Sequence, residues 1–146
     1  MKIIKYLVLL LLVLWSLFFG FLILQNGDET HSAGIAVTEL LRHIFHLRAD
    51  TWTVHNDLRL SAHIVGFAIL GFLLVLVLFL LLQIPVKKAV VWSFCICAFL
   101  AVASEAIKYA VPGRHFEWID VARNGVGMLI GTGLGFLVSL TLSVKR

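Results

Sequence analysis

This sequence contains few prolines, cysteines and charged residues. Its 146 residues include only two prolines and two cysteines, and 14% of them are charged. This composition excludes a disordered linker, a disulfide scaffold and a low-complexity chain. Cys95 and Cys97 stand two residues apart in an apolar stretch. On a helix their side chains would point about 200° apart, so they cannot form a disulfide with each other, and we expect both to be small core residues.

Apolar residues are abundant instead. They make up 61% of the chain, and the mean hydropathy is +1.03, which predicts an integral membrane protein. A helix needs about 20 mostly apolar residues to cross a bilayer. We therefore predict an all-α membrane protein with four transmembrane helices, and expect the first to be retained as a signal anchor because its apolar run is too long for a signal peptide. The predicted spans are Tyr6–Leu24, Leu60–Ile84, Ala89–Val111 and Gly125–Val144.

The basic residues predict the orientation of these helices. Six of them crowd three very short segments, namely Lys2, Lys5, Lys87, Lys88, Lys145 and Arg146. The other six, Arg42, Arg48, Arg59, Lys108, Arg114 and Arg123, are spread over two much longer stretches. Since positive residues are retained on the cytoplasmic side, both termini should be cytoplasmic. Because these charges occur singly or in pairs, we expect no nucleic-acid partner.

The first outer segment, residues 25 to 59, carries a helical pattern. It opens on a turn signal, Gln25-Asn26-Gly27-Asp28. Apolar residues then recur at helical spacing, namely Ile35, Val37, Leu40, Leu41, Ile44, Phe45 and Leu47. Polar residues interleave with them, and the stretch is too short to span. We predict an amphipathic helix that lies in the outer interface.

Polar residues gather at one depth on the outer side. His63 lies one turn inside the second span, Glu105 about one and a half turns inside the third, and Asn124 opens the fourth. A connection that contains Arg114 and Asp120 joins the last two spans. Ionisable groups inside apolar helices cost about 2.5 to 3.5 kcal/mol on insertion scales, so they are candidates for function.

Each of these residues also has a plain structural interpretation. His63 fits an interfacial hydrogen-bonding residue, and Glu105 with Lys108 fits a surface ion pair. Asp120 fits a helix cap, and Arg114 fits a side chain that reaches lipid headgroups. The shared depth of residues from three separate spans favours the functional interpretation.

Glycines recur on one face of the fourth span. Gly127, Gly131 and Gly135 stand four residues apart, a spacing that lets helix backbones approach closely in lipid. We expect packing within the monomer, with a homodimer through this face as the alternative. These glycines follow no strand and precede no Lys-Ser or Lys-Thr, so they are not a phosphate loop. No zinc-binding spacing is present, and we expect neither a metal nor a cofactor.

Several motifs together resemble the VanZ-like family of small bacterial membrane proteins. They lie between Arg59 and Gly135, over half the chain, while the residues up to Asp57 show no match. The motifs are Leu58-Arg59-Leu60-Ser61-Ala62-His63, Leu70-Gly71, Glu105-Ala106-Ile107-Lys108, Pro112-Gly113-Arg114, Asp120-Val121-Ala122-Arg123-Asn124, and Gly125-Val126-Gly127 with Gly131. Many members of the family have glutamine where Lys108 stands. We divide the chain accordingly into an anchor with its outer loop, 1–57, and a VanZ-like three-helix core, 58–146.

The resemblance implies a place in the bacterial cytoplasmic (inner) membrane and an association with the cell envelope. The founding member of the family is linked to resistance to teicoplanin-type glycopeptides. The family supplies no settled chemical mechanism.

Our leading hypothesis is a polar pocket at the outer leaflet for an anionic, lipid-linked or cell-wall-derived ligand. We expect Arg114 to contact the anion, because its planar guanidinium can form two parallel hydrogen bonds to a phosphate or carboxylate. Glu105 would organise the pocket by pairing with His63 or Arg114. The candidate ligand-binding residues are Arg59, His63, Glu105, Lys108, Arg114, Asp120 and Asn124, and the expected partners are membrane lipids, a lipid-linked cell-wall precursor or a polyprenyl phosphate.

Two other hypotheses come from different classes. In the first, His63 and Glu105 are catalytic and perform acid–base chemistry on a phosphate or acyl linkage of a lipid. No nucleophile or metal motif accompanies them, which weighs against an enzyme. In the second, the polar residues only lock the helices together, a role that contacts of about 0.6 to 2 kcal/mol each can fill.

The predicted orientation can be tested by labelling intact cells. A cysteine introduced as His115→Cys, with Cys95 and Cys97 replaced by alanine, should react with a membrane-impermeant maleimide because the 112–120 connection is expected outside. Lys88→Cys in the same background should react only after the membrane is opened. Labelling of position 88 but not 115 in intact cells would reverse the orientation.

Overall fold

The computed structural model describes residues 2–25, 27–46 and 50–144, and these residues form five α-helices. Four of the helices are long and apolar enough to cross a membrane, which confirms the predicted four spans and the all-α class. Five residues used above, Asn26, Leu47, Arg48, Lys145 and Arg146, lie outside the described part of the chain. The helices are α1 (Lys2–Leu24), α2 (Gly27–Phe45), α3 (Thr51–Leu80), α4 (Val86–Ile107, followed by a 3-10 turn Lys108–Ala110) and α5 (Trp118–Val144).

Helix α3 begins nine residues before the predicted start of its span, at Thr51 rather than Leu60. The carboxylate of Asp50 accepts hydrogen bonds from the backbone amide of Thr53 (3.0 Å) and from its hydroxyl (2.6 Å), and so caps the helix. Thirty residues make a helix of about 45 Å, longer than a hydrocarbon core of about 30 Å. The polar first turns of α3 are therefore a continuous extension of the span, which hydropathy does not mark.

The remaining helices and connections lie close to their predicted positions. Helix α2 lies between residues 25 and 59, where a helix was predicted, and its place in the outer membrane interface remains a prediction. The link between α4 and α5 is a short turn, in which Gly113 has a positive φ of 73° that favours glycine. Helix α5 then begins at Trp118, seven residues before its predicted apolar start at Gly125.

Helices α3 and α5 pack backbone to backbone through the glycines of α5. A Cβ atom at Gly127 or Gly131 would overlap the carbonyl oxygen of Ile64 or Ala68, respectively. At Gly135 it would lie 2.8 Å from the Cβ of Val75. The glycine face is thus occupied by α3 of the same chain. Self-association of two copies stays a prediction, and it would need a different surface.

The core lies between α3, α4 and α5. Cys97 and Ala101 of α4 pack there with Phe67 of α3 and Met128 of α5. Cys97 is buried, whereas Cys95 is exposed, so the expectation that both cysteines are core residues was wrong for Cys95. Two residues are a little over half a helical turn, and one position therefore faces inward and the other outward.

Helix α1 attaches to the core at few points, and most of its large apolar side chains are exposed. The indole nitrogen of Trp15 donates a hydrogen bond to the carbonyl oxygen of Gly66 (3.1 Å). Phe19 stands edge-on to Phe67, with ring centroids 5.4 Å apart, and rests on Gly66, where a Cβ would come within 2.5 Å of its ring. The missing side chain of Gly66 is what lets α1 approach α3.

The glycine packing gives a matched pair of stability predictions. Gly131→Ala should lower the free energy of unfolding by about 1 to 3 kcal/mol, because the new methyl overlaps the Ala68 carbonyl. Gly133→Ala meets nothing within 4 Å and should raise it by about 0.5 to 1 kcal/mol through helix propensity. Thermal unfolding of the purified protein in detergent measures both changes, and a Gly131→Ala protein as stable as the native one would contradict this packing.

Candidate functional site

Polar side chains of α3, of α5 and of the end of α4 meet in one cluster, and the carboxylate of Asp120 lies at its centre. It lies in the first turn of α5 and is fully buried. Its Oδ2 atom accepts from Lys108 Nζ (3.1 Å) and Arg59 Nη2 (3.3 Å), and its Oδ1 accepts from Arg123 Nη1 (2.7 Å). His63 Nε2 lies 3.3 Å from Oδ2. One side chain therefore joins α3, the end of α4 and α5.

Glu105 and Lys108 form a second buried pair beside Asp120. Lys108 Nζ donates to Glu105 Oε1 over 2.7 Å, and both residues are buried. The other carboxylate oxygen of Glu105 accepts from the backbone amide of Glu117 (3.3 Å), just before α5 begins. The expectation that Glu105 pairs with His63 or Arg114 was therefore wrong. Lys108, three residues further along the chain at the start of the 3-10 turn, is the nearer partner, and burial makes this pair different from a surface ion pair.

His63 is held from both sides. Its Nδ1 atom lies 2.9 Å from Asn124 Oδ1, while its Nε2 faces Asp120. Asn124 is buried, and its Nδ2 atom has no hydrogen-bond partner among the described residues. The ring is thus fixed between α3 and α5, and its orientation depends on two residues of the α5 N-terminal turns.

The ion pairs of the cluster balance in charge. Each side chain in the network pairs with at least one of opposite sign, and the network contains three bases (Arg59, Lys108, Arg123) and three acids (Glu105, Glu117, Asp120). Arg59 completes it through Glu117 Oε1 (2.8 Å). The network therefore carries no net charge apart from that of His63, and each of its carboxylates already pairs with a base.

Arg114 stands apart from this network. Its Nη1 atom donates to the carbonyl oxygens of Leu22 (3.1 Å), Ile23 (3.0 Å) and Gln25 (3.3 Å) at the end of α1. Among the described residues, no carboxylate lies within ion-pair distance of it. Removal from water lowers the pKa of this guanidinium, while the carboxylate of Glu105 acts in the opposite direction. Arg114 is therefore a partly buried positive charge whose hydrogen-bond partners in the described part of the chain are all neutral.

A cavity of about 620 Å³ opens beside the cluster. Arg59, His63, Glu105, Lys108 and Arg114 line its polar end. Most of its remaining wall is apolar and comes from α1, α2 and α3, with Trp15, Phe18, Phe19, Leu22, Val37 and Val65. The imidazoles of His31, His55 and His115 and the carboxylate of Glu117 also line it. The cavity thus has the two-part character of an amphiphile site, with its charged groups at one end only.

Exposed aromatic side chains indicate the depth in the membrane at which the polar end of the cavity lies. Trp118 and Tyr109 are about three-quarters exposed and lie next to the cluster in sequence, and Trp52 is exposed at the start of α3. Phe116 joins the first two, stacking on Tyr109 and meeting Trp118 edge to face. Exposed Trp and Tyr favour the headgroup level of a bilayer. The polar end of the cavity therefore lies close to one membrane surface.

Of the seven predicted ligand-binding residues, six form one connected network, and the seventh, Arg114, faces the same cavity from a separate position. Asp120 and Asn124 are buried behind the cavity and hold other residues in place. Sequence reasoning missed Glu117 and Arg123 as members of the cluster. Arg123 had a detectable signal, since it follows Asp120 by three residues on one helix. The apolar wall from α1 had none, because the whole of α1 is apolar.

The cluster also contains a possible metal-ligand set. One ligand atom each from His63, Glu105 and Asp120 lie within 4.8 Å of one another. The ammonium of Lys108 bonds to both of these carboxylates, so it already supplies the positive charge that a metal ion would bring. These residues therefore do not fit a metal site while Lys108 is present.

Helices, network and cavity together define a multi-pass membrane protein with a buried ion-pair cluster beside an amphipathic cavity. The family model described as VanZ/LLP1 matches residues 6–139, and the chain belongs to this family. The match begins in α1, so the likeness extends well beyond the motifs between Arg59 and Gly135. Comparisons with curated proteins and with solved structures gave no match.

The role of Lys108 in the network can be measured as stability. Lys108→Met keeps the length of the side chain but leaves Glu105 and Asp120 without their shared cation, and should cost about 3 to 5 kcal/mol of unfolding free energy. Lys108→Gln should cost less, since an amide still donates a hydrogen bond. The control is Lys88→Met, at an exposed position, and thermal unfolding in detergent gives all three values. Equal stability of Lys108→Met and the native chain would show that the pair contributes nothing.

Proposed function

We propose that this protein binds the anionic head of a lipid-linked or cell-wall-derived ligand in its cavity, at the outer face of the bacterial cytoplasmic membrane. The observation that carries the proposal is Arg114. Its guanidinium faces the cavity, is partly removed from water and, among the residues that the structure describes, is bonded only to backbone carbonyls. A phosphate or carboxylate would give this charge the anionic partner that the described residues do not provide.

The surrounding charges support an anion rather than a cation. The three acids of the cluster are already paired with Arg59, Lys108 and Arg123, and within the described part of the chain none of them forms an ion pair with Arg114. Arg59 is about half exposed and also lines the cavity, so it can turn part of its fork toward a ligand. Two guanidinium groups at one end of a cavity suit phosphate, which they bind through paired hydrogen bonds.

The rest of the cavity supports a ligand that also has an apolar part. Below Arg114 the wall consists of aromatic and aliphatic side chains from α1 and α3, such as Phe18 and Val65. A small water-soluble anion would leave this surface uncovered. An amphiphile fills both ends, and the bilayer is its natural source.

Catalysis is less well supported by the same geometry. A general base needs a free atom within hydrogen-bonding reach of the substrate. Both ring nitrogens of His63 face protein groups, Asn124 and Asp120, and both oxygens of Glu105 are used by Lys108 and the Glu117 amide. Turnover of a polyprenyl phosphate that is lost in His63→Gln and Glu105→Gln would restore the enzyme hypothesis.

The proposal has a consequence for antibiotics that act outside the membrane. Teicoplanin-type glycopeptides recognise envelope components from the outer side, where this cavity is expected to open. A protein that holds a lipid-linked envelope component there would change what such an antibiotic reaches. We therefore propose that expression of this protein shifts teicoplanin susceptibility, and that the shift depends on the residues of the cavity.

The binding prediction concerns Arg114. Arg114→Ala removes charge-assisted hydrogen bonds worth about 1.5 to 3 kcal/mol, so the affinity for an anionic lipid should fall by about 10- to 100-fold. The measurement is equilibrium binding of dioleoyl phosphatidate and of farnesyl phosphate to the purified protein in nanodiscs made of phosphatidylcholine.

Lys88→Ala is the matched control, since it removes one positive charge far from the cavity and should leave the affinity unchanged. Arg114 also bonds to the end of α1, so thermal unfolding is recorded for each variant. Undiminished binding of both lipids by a folded Arg114→Ala protein would end the proposal.

A further inference from the structure

A second apolar hollow lies directly below the cavity, along the line where α1 meets α3. It has a volume of about 420 Å³ and shares Trp15 and Phe18 with the cavity above. Its other walls are Leu11 and Leu14 of α1 and Ile69, Phe72 and Leu73 of α3. We refer to the two hollows together as the α1–α3 groove. It runs from Leu22, beside Arg114, to Leu11.

The length of the groove matches one leaflet of a membrane. Leu22 and Leu11 are eleven residues apart on one helix, which is about 16 Å at the helical rise of about 1.5 Å per residue. This is close to half of a hydrocarbon core of about 30 Å. The polar end of the groove lies at the headgroup level, so the groove extends from one membrane surface toward the middle of the bilayer.

The lower part of the groove offers no hydrogen bond. The indole N–H of Trp15, its one polar side-chain group, already donates to the Gly66 carbonyl. The remaining lining side chains are aliphatic or are phenyl rings. Hydrocarbon is therefore the chemistry that this part accepts, while the upper end accepts an anion.

The volume of the lower hollow limits how much hydrocarbon it holds. At roughly 30 Å³ for each non-hydrogen atom, the share of a molecule in liquid water, about 420 Å³ takes about 14 atoms. That is the amount in one chain of ordinary length. A second chain of the same length would exceed this volume and would lie in the bilayer.

We propose that the α1–α3 groove holds the hydrocarbon chain of a single-chain lipid phosphate whose head is bound at Arg114. This inference rests on the proposed anion site and specifies its ligand class. Polyprenyl phosphates and lysophospholipids share the required chemistry, namely a phosphate and one chain. A diacyl lipid can place its head at Arg114 but gains less from the groove.

The first experiment compares chains on the same phosphate head. Farnesyl phosphate, lysophosphatidate and dioleoyl phosphatidate are bound to the full-length protein in phosphatidylcholine nanodiscs, with butyl phosphate as a probe of the head alone. At least one of the two single-chain lipids should bind about tenfold more tightly than the diacyl lipid, and the stronger of the two identifies the source. Equal affinity for all three long-chain lipids would overturn the inference.

A substitution in the groove separates the chain from the head. Ile69→Trp fills the lower hollow and should weaken the better single-chain lipid about tenfold while leaving butyl phosphate unchanged. Leu10→Trp, on an exposed part of α1 outside the groove, should change neither. If Ile69→Trp has no effect while Arg114→Ala still weakens every lipid, the groove inference fails and the anion site stands. If Arg114→Ala has no effect, both proposals fall.

Trp15 provides a test that needs no substitution in the groove. In a chain that keeps Trp15 and has Phe at positions 52, 92 and 118, fluorescence should be quenched by hexadecyl phosphate brominated near the middle of its chain. A chain that keeps Trp92 alone, at an exposed site near the start of α4, should be quenched much less. Equal quenching of the two would place the chain in bulk lipid and contradict the groove.

Discussion

The burial of the Asp120 carboxylate constrains everything around it. An ionised carboxylate away from water is stable only when cations and hydrogen-bond donors replace its solvation. Lys108, Arg59 and Arg123 supply these from three different segments, so the ends of α3, α4 and α5 cannot separate without exposing an unpaired charge. The glycines of α5 act together with this requirement, because close approach of α5 to α3 is what brings Asp120 within reach of Arg59 and His63.

The same network determines what remains available for a ligand. Acids and bases within the cluster neutralise one another, and the side chains that could act as catalytic bases are occupied by protein partners. Arg114 forms hydrogen bonds to backbone carbonyls and, in the described part of the chain, no ion pair. The cluster therefore forms a neutral wall of the cavity. The unpaired positive charge of the cavity comes mainly from Arg114, on the turn between α4 and α5.

Much of this arrangement could be predicted from the sequence, and the remainder could not for definable reasons. Hydropathy places His63, Glu105 and Asn124 at one depth, because each residue adds a fixed rise along its helix. Depth does not fix the rotation of a helix about its axis, so the sequence indicated the pair of Glu105 with Lys108 only as a surface ion pair and did not reveal that it is buried against Asp120. In α1, nothing distinguishes Trp15 or Phe18 from side chains that face lipid, since both environments are apolar.

Two sets of hydrogen bonds join the described residues of helix α1 to the rest of the molecule. In both sets the acceptor is a main-chain carbonyl oxygen. Trp15 bonds to the carbonyl of Gly66, and Arg114 bonds to carbonyls of α1 itself. A main-chain acceptor is supplied by every residue type, so most positions of α1 are free to vary without loss of these bonds. A segment attached in this way depends for its hydrogen bonds on where its backbone lies rather than on most of its side chains, so it keeps its place through Trp15, Phe19 and the Arg114 contacts.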